Sequence, residues 1–346
     1  GGAYGAYAWG VLDRLLEDER IEIEAVSGTS AGAMNAIVMA EGLVEGGRAR
    51  AREQLTEFWR SISLEALASP LQRSPLDVLL ASWSLDFNPA LAWFDMATRL
   101  VSPYQFNPLN LNPLRDLLER KVDFAKVQAC DRMRLFVSAT NVRTGQGRVF
   151  TGAAVTADVV MASACLPFLF QAVEIDGEPY WDGGYMGNPV LEPFFGACQS
   201  QDVLLVQVNP IRREQTPKLA REIMDRVSEI SFNASLIREL RHVEFINACL
   251  RRGELRGLHY REIFLHLVGG GPAFSELPSS AKLNAEWAFL TMLRDNGRRD
   301  AGLWLEQNYA HIGRRATMDL AAYRPIEKAR NGKDANRLRH SRPTRS

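Results

Sequence analysis

The stretch that decides the fold is residues 21–43, which read IEIEAVSGTSAGAMNAIVMAEGL. Residues 21–26 alternate largely between apolar and acidic side chains, the period-two pattern of a β-strand. Residues 31–43 are rich in Ala, Met and Ile over a length that strands seldom reach, which predicts a buried helix. A strand, a tight turn and a helix in so short a stretch are the opening unit of an α/β fold.

The turn between this strand and this helix carries Gly28-Thr29-Ser30-Ala31-Gly32, which fits the G-x-S-x-G pattern of a nucleophile elbow. In such a turn the strained backbone pushes the serine hydroxyl outward, and the glycines remove side chains that would clash. The following helix points the positive end of its dipole at the site, which favours a developing oxyanion. We therefore predict that Ser30 is a catalytic nucleophile; the competing interpretation is a Ser/Gly turn that only caps a helix.

A catalytic serine needs a base, and the residues leave two kinds open. All five histidines lie after position 240, and a Ser-Asp-His order with His242 or His259 would give an esterase of the α/β-hydrolase type. The other kind is a carboxylate that acts alone, with burial raising its basicity. The best such carboxylate is Asp182, because Gly183 and Gly184 follow it and permit close backbone approach, although Asp-Gly by itself usually marks only a turn.

The rest of the chain divides by composition. Residues 63–113 contain six prolines among Leu and aromatic residues, which is typical of short helices that form a cap. Residues 211–323 are predicted to form a mainly helical C-terminal extension, and residues 324–346 a basic disordered tail. Helices are also predicted over 5–17, 48–62, 114–122, 156–164, 219–249, 281–297 and 301–312, and strands over 135–140, 147–150, 204–208 and 263–268.

The composition excludes several classes of protein. With 346 residues, 46% hydrophobic and 24% charged, the chain is an ordinary globular protein of one large domain or two modest ones. Basic and acidic residues number 41 each, which gives no case for nucleic-acid binding. The four cysteines are widely spaced, which predicts buried thiols of a reduced compartment, and no His/Cys/carboxylate cluster has the spacing of metal ligands. No apolar run is long enough for a transmembrane helix.

Four motifs in order make the chain resemble the patatin-like phospholipase family, lipid acyl hydrolases with a Ser-Asp dyad. They are the elbow at 28–32, VSATN at 137–141, ASACLPF at 162–168, and DGG at 182–184 followed by Asn188-Pro189. The resemblance covers roughly residues 1–210 and implies a three-layer α/β/α domain with a mostly parallel central sheet. It also implies that Ser30 is the nucleophile, that Asp182 accepts its proton, and that no metal or other cofactor takes part.

The family's oxyanion loop reads G-x-G-x-x-G, and Gly2-Ala3-Tyr4-Gly5 matches its second half. The resemblance therefore implies that backbone N–H groups of Gly1, Gly2 and Ala3 hold the oxyanion. Tyr4 stands where the family often has a basic residue, and backbone donors tolerate that change. The loop's first glycine and its strand would precede Gly1, so we expect a chain that has lost its first strand. We expect a protein of the cytoplasm or the membrane periphery, with a lost signal peptide as the open alternative.

The resemblance implies hydrolysis of a carboxylic ester in a phospholipid or another acyl lipid through an acyl-enzyme. The expected partners are a lipid substrate and a membrane surface in peripheral contact; the oligomeric state does not follow from the sequence. Tyr185 and Met186 lie beside the DGG motif and are candidates for lining an acyl pocket. Two alternatives stay open: the Ser-His-Asp esterase, and a non-catalytic scaffold that binds lipid or protein through its C-terminal helices.

Overall fold

A computed structural model describes residues 2–67, 69, 73–74, 77–78, 82–85, 88–209, 211, 213, 216–218, 220–255, 260–269, 274, 277 and 279–320. The strands are β1 (Ala25–Gly28), β2 (Arg134–Asn141), β3 (Gly147–Phe150), β4 (Val173–Ile175), β5 (Glu178–Asp182), β6 (Asp202–Gln207) and β7 (Phe264–Gly269). The helices are α1 (Gly5–Glu17), α2 (Ala31–Ala66), α3 (Pro89–Leu100), α4 (Pro103–Phe106), α5 (Pro113–Lys121), α6 (Phe124–Gln128), α7 (Ala157–Ser163), α8 (Glu192–Ala197), α9 (Ala220–Arg251) and α10 (Trp287–Asn308).

The central sheet is built around β2. Strand β1 pairs with β2 in parallel, and β3 and β5 pair with β2 antiparallel, while β4 pairs with β5. Gly28 at the end of β1 lies opposite Val137, and Asp182 at the end of β5 lies opposite Ala139. Strand β3 pairs with both Val137 and Ala139 and occupies the other edge of β2, so the last residues of β1 and β5 meet end to end along the same edge.

The α/β class is confirmed, but the expected mostly parallel sheet is wrong for the strands that the structure describes. Two pairs are parallel, β1–β2 and β6–β7, and three are antiparallel. The reason is local: β2–β3 and β4–β5 are hairpins joined by short turns, and a short turn can only reverse the chain. In the β4–β5 turn, Asp176 and Gly177 both take positive φ values of 55° and 77°.

Several predicted boundaries move for physical reasons. The strand of residues 21–26 begins only at Ala25, because the preceding residues have no partner strand among those described and Ile21 N–H instead bonds Asp18 O. The helices predicted at 31–43 and 48–62 are assigned as one element, α2, whose helical dihedrals break at Gly46 and Gly47. The helices predicted at 281–297 and 301–312 are joined in one helix, α10, which begins at Trp287 and ends at Asn308.

Two apolar clusters hold the described fold together. The larger one joins α1, α2, α10 and the central sheet, with Trp9, Ile37 and Phe289 among its fully buried members. The smaller one joins β6 and β7 to α9 through Val203, Leu240 and Leu265. Because the larger cluster includes both α1 and α10, the first and last described helices belong to one core. The division at residue 210 stays a prediction, and the expected tail, 324–346, lies outside the described residues.

Three of the four cysteines are buried and Cys130 is half-buried; all four are free thiols, in line with the prediction from their spacing.

Candidate active site

Ser30 lies on a strained turn between β1 and α2. Its backbone has φ 56° and ψ −124°, a conformation that non-glycine residues rarely adopt. Position 28, two residues before Ser30, excludes a side chain, because a Cβ on Gly28 would lie 2.6–2.7 Å from backbone atoms of Gly32 and Ala33. The structure places Ser30 on a sharp turn between strand and helix, and its role as the nucleophile stays a prediction.

Gly32, the second glycine of the motif, does not serve to remove a clashing side chain. A Cβ built on Gly32 meets nothing within 4 Å, and the residue lies on the wall of the cavity described below. The first glycine of the motif is therefore required by backbone packing, whereas the second leaves open space in front of the serine.

Asp182 is held at the end of β5 by bonds to its backbone and side chain. Its N–H donates to Cys165 O at 2.8 Å, and Thr140 Oγ1 donates to its carbonyl oxygen at 2.8 Å. Its Oδ1 accepts the N–H of Gly184 at 2.7 Å. The Ser30 hydroxyl lies close enough to this carboxylate to lower its pKa. The two residues proposed for a dyad, which lie far apart in the sequence, are thus neighbours on the wall of one cavity.

The carboxyl of Asp182 is only 3% exposed. Burial raises its pKa from 3.8 to about 6, and the hydrogen bond from Gly184 and the nearby Ser30 hydroxyl act in the opposite direction. A carboxylate with this pKa is mostly ionised at neutral pH, yet it is a far better proton acceptor than an exposed aspartate.

Both glycines after Asp182 are dictated by close approach. A Cβ on Gly183 would overlap the carbonyl and hydroxyl of Ser138, and a Cβ on Gly184 would overlap the ring of Phe232 and crowd Asp182 Oδ1. Ser138 belongs to β2 and Phe232 to α9, so the DGG motif is where sheet, turn and C-terminal helix meet.

The elbow is fixed by a set of side-chain hydroxyls that the sequence patterns did not predict. Ser163 Oγ, fully buried at the end of α7, accepts the N–H of Ser30 at 3.0 Å. Thr29 Oγ1 lies 2.8 Å from Ser138 Oγ and donates to Gly187 O at 3.0 Å. These bonds tie the elbow to β2, α7 and the segment after the DGG motif. The only hint in the sequence was the presence of small hydroxyl residues in otherwise apolar runs.

Of the predicted oxyanion residues, Gly2 and Ala3 are described and lie in different surroundings. Gly2 begins a short 3₁₀ turn, Gly2–Tyr4, that leads into α1, and it lies on the wall of the same cavity as Ser30 and Asp182. Ala3 is buried in the main core. Gly1 lies outside the described residues. Helix α2 secures this turn, because Asn35 Nδ2 donates to Gly5 O at 2.9 Å and Asn35 Oδ1 accepts from Trp59 Nε1 at 2.8 Å.

Ser30 and Asp182 line a cavity of about 1900 Å³ that also extends along β1 and β6. It exceeds the roughly 300–1,000 Å³ of a typical small-molecule pocket, and most of its lining surface is apolar. Tyr185 and Met186 line it, as the sequence suggested. The cap-region residues Leu100 and Val101 line it as well, together with Phe168.

None of the three described histidines bonds to Ser30 or Asp182 in the described part of the chain. His242 is exposed on α9. His266 is buried on β7 and its ring lies between Asp202 Oδ1, at 2.9 Å, and Thr317 Oγ1, at 2.8 Å. His311 is engaged by Arg315. His259 and His340 lie outside the described residues.

Within the described residues, no group of three or more His, Cys, Asp or Glu side chains is arranged to hold a metal ion. None of the described helices combines the length and the apolar composition that crossing a bilayer would require.

The fold and the site define an α/β protein with a strained strand–helix turn whose serine lies beside a buried carboxylate. A family model described as Patatin-like phospholipase matches residues 1–195, which is more than half of the sequence, so the chain belongs to the patatin-like phospholipase family. Patatin-like phospholipases are lipid acyl hydrolases, so the resemblance recognised in the motifs is confirmed at the level of the family.

Among solved structures, VipD from Legionella pneumophila is similar to this chain at 15% identity with a TM-score of 0.40. The match covers 89% of this chain and 65% of the VipD chain, so this chain spans less than two thirds of VipD. No curated protein matches the sequence.

Proposed function

We propose that the chain is a serine lipid acyl hydrolase that cleaves carboxylic esters through a Ser30–Asp182 dyad. The observation that carries the proposal is that the strained Ser30 lies beside a carboxylate that is almost fully buried, on the wall of one cavity. A serine hydroxyl is a weak nucleophile until a neighbouring group removes its proton, and Asp182 is a buried carboxylate whose pKa the Ser30 hydroxyl affects.

In the first half of the reaction, the Ser30 hydroxyl transfers its proton to Asp182 as Oγ attacks the ester carbonyl carbon. The carbonyl oxygen becomes an oxyanion, for which the proposed donors are the backbone N–H groups predicted at Gly1, Gly2 and Ala3, aided by the N-terminal end of α2. The tetrahedral intermediate then collapses. The C–O bond to the alcohol breaks, Asp182 returns its proton to the departing alkoxide, and the acyl group remains on Ser30.

In the second half, a water molecule gives a proton to Asp182 and its oxygen attacks the acyl carbon. Collapse breaks the bond to Ser30 Oγ, which regains the proton, and the free fatty acid leaves. Both halves require Asp182 to be ionised at the start of the step, so the pKa near 6 suits a neutral working pH.

A lipid is the substrate class that the family and the cavity jointly favour. The cavity is large and mainly apolar, and acyl chains need such a volume once they leave a bilayer.

A surface beside the cavity is suited to membrane contact. We call it the apolar rim, consisting of Leu100, Tyr104, Leu109, Leu111 and Phe168, each more than half exposed. Hydrogen bonds from Gln171 Nε2 to Asn107 O, at 2.8 Å, and from Ala172 N to Tyr104 Oη, at 3.2 Å, join its two segments.

The apolar rim is continuous with the cavity, because Leu100 and Phe168 belong to both. Residues 88–112 contain only one acidic and one basic residue, so little charge opposes burial in lipid. We propose that the rim rests on the lipid surface from which the substrate enters.

Hydrolysis assays on the purified chain test the proposed activity. The substrates are a phospholipid, a diacylglycerol and a soluble acyl ester. Ser30→Ala and Asp182→Asn should each lose on the order of 10³-fold or more in kcat on every ester that the wild type cleaves, with unchanged circular dichroism. If Asp182→Asn keeps activity while His242→Ala or His259→Ala loses it, the Ser-His-Asp esterase replaces the dyad. If the wild type cleaves no ester, the scaffold interpretation takes precedence.

A further inference from the structure

A lysine from the C-terminal part of the chain lies against the glycine turn of the candidate site. The 3₁₀ turn Ser279–Leu283 packs on the 3₁₀ turn Gly2–Tyr4, and a Cβ on Gly2 would overlap Lys282 O and lie 3.6 Å from Lys282 Cβ. The Nζ of Lys282 lies 5.7 Å from the centroid of the Tyr4 ring. Lys282, Gly2 and Ser30 all line the same cavity.

The charges around Lys282 leave an excess of positive charge. Glu229 is 3% exposed and its two oxygens accept hydrogen bonds from Arg213, at 2.7 and 3.2 Å, and from Arg226, at 3.2 Å. Lys282 Nζ lies 3.8 Å from Glu229 Oε1, which is beyond hydrogen-bonding distance. Among the described side chains, three cations thus surround one carboxylate, and Asp225 on the cavity wall supplies one further negative charge.

The Lys282 ammonium is also poorly solvated. Its side chain is 27% exposed, and burial lowers its pKa, with Glu229 and Asp225 acting in the opposite direction. A partly desolvated cation that is only loosely paired is costly, and an anion that enters the cavity would lower that cost.

We infer that the Lys282 ammonium binds the phosphate of a glycerophospholipid whose ester carbonyl lies at Ser30. This inference rests on the proposed acyl hydrolase function. Lysine binds phosphate as a point charge and does not require one fixed geometry. In a glycerophospholipid the phosphate and the acyl esters are carried by one glycerol unit, so they lie only a few bonds apart. Lys282 is attached beside the turn predicted to hold the oxyanion and lines the same cavity as Ser30, so one substrate molecule could contact both.

A contact between Lys282 and phosphate would favour one of two substrate classes that the cavity alone would accept equally. Diacylglycerols and simple acyl esters have the acyl chains but no phosphate, and they gain nothing from Lys282. Glycerophospholipids gain a charge-assisted contact in a partly desolvated site, where such a contact is stronger than in water.

The test compares a dispersed short-chain phosphatidylcholine with the diacylglycerol that carries the same acyl chains. Lys282→Gln should lower kcat/KM for the phospholipid by about 10- to 100-fold, the range for loss of a hydrogen bond to a charged group. It should change kcat/KM for the diacylglycerol by less than about threefold, within ordinary mutational context effects. Lys282→Arg should restore most of the phospholipid activity, because it keeps the charge.

Arg226→Gln is the matched control. It removes another cation from the same Glu229, but Arg226 is not on the cavity wall, so the ratio of phospholipid to diacylglycerol activity should not change. If Arg226→Gln changes the ratio as much as Lys282→Gln, the effect is one of general charge and the contact with phosphate is refuted.

The remaining outcomes distinguish failure of the phosphate subsite at Lys282 from failure of the proposed hydrolase function. Equal losses on both lipids, or no loss on either, refute the subsite and leave the hydrolase proposal standing. No hydrolysis of either lipid by the wild type refutes both. Inorganic phosphate should compete with the phospholipid; if it binds through Lys282 while the phospholipid shows no advantage over the diacylglycerol, the site takes free phosphate and the headgroup assignment is wrong.

Discussion

Replacing Asp182 by asparagine should stabilise the protein while it removes activity. The folded protein keeps this carboxyl 3% exposed, and burial raises its pKa to about 6 from an ordinary 3.8. The amide of asparagine has nearly the same shape and can still accept the N–H of Gly184 that Asp182 Oδ1 accepts at 2.7 Å. The substitution therefore removes a buried charge without opening a cavity.

The sign and size follow from proton linkage. The folded-state pKa lies above the unfolded value, so the wild type has its full stability below pH 4 and loses part of it as the pH rises through 6. A difference of roughly two pH units corresponds to a cost on the order of 3 kcal/mol at pH 8. Asp182→Asn avoids that cost. Its free energy of unfolding should exceed that of the wild type by about 1–3 kcal/mol at pH 8, and by nearly nothing at pH 4.

Urea denaturation of both proteins at pH 4, 6 and 8 measures this difference. The control is Asp176→Asn, which replaces an exposed aspartate with positive φ on the β4–β5 turn and should change stability by less than about 0.5 kcal/mol at every pH. A variant that is equally stabilised at pH 4 and pH 8, or destabilised at pH 8, would refute the reasoning that burial raises the pKa of Asp182.

Three further substitutions test the construction of the site. Gly28→Ala should destabilise the fold by about 1–3 kcal/mol, because its Cβ would press on the backbone of Gly32 and Ala33. Gly32→Ala should leave the free energy of unfolding equal, or higher by up to about 1 kcal/mol. Urea titration distinguishes the two variants, and equal losses of stability would contradict the packing explanation for Gly28. Ser163→Ala leaves the Ser30 N–H without its acceptor and should cost about 1–3 kcal/mol and lower kcat, whereas a variant with wild-type kcat would show that this bond does not orient the elbow. The double variant Leu109→Ser, Leu111→Ser on the apolar rim should weaken co-sedimentation with phospholipid vesicles and leave the hydrolysis of a soluble ester unchanged. Leu303→Ser, an exposed control off the cavity wall, should change neither. Equal vesicle binding by the wild type, the double variant and the control would refute the rim's role.

The elbow could be predicted from sequence because its determinants are local. A strand, two glycines around a serine and an Ala-rich helix are contiguous, and the structure places β1, the strained Ser30 and α2 in that order. Strand directions could not be predicted the same way. Whether β5 runs with or against β2 depends on the hairpin that feeds it, and the residues of β5 themselves carry no signal of direction.

Asp182 was predicted mainly from the resemblance to a family. The contacts that require the two glycines after it come from residues that are distant in the sequence. Gly183 and Gly184 look like an ordinary turn, but they are required by Ser138 on β2 and Phe232 on α9. The hydroxyl of Ser163 and the ammonium of Lys282 reach the site from other elements, over gaps of more than 100 residues from Ser30. Such contacts are set by tertiary packing, and a single sequence contains no local pattern for them.

The central claim is that Asp182, and no histidine, activates Ser30. The most direct measurement is the rate at which an organophosphonate modifies Ser30, located by mass spectrometry, in the wild type, Asp182→Asn, His242→Ala and His259→Ala. If Asp182 is the base, Asp182→Asn should slow modification by about 10²-fold or more, and both histidine variants should react within about twofold of the wild type. Rapid modification of Asp182→Asn, together with an unreactive histidine variant, would contradict this claim.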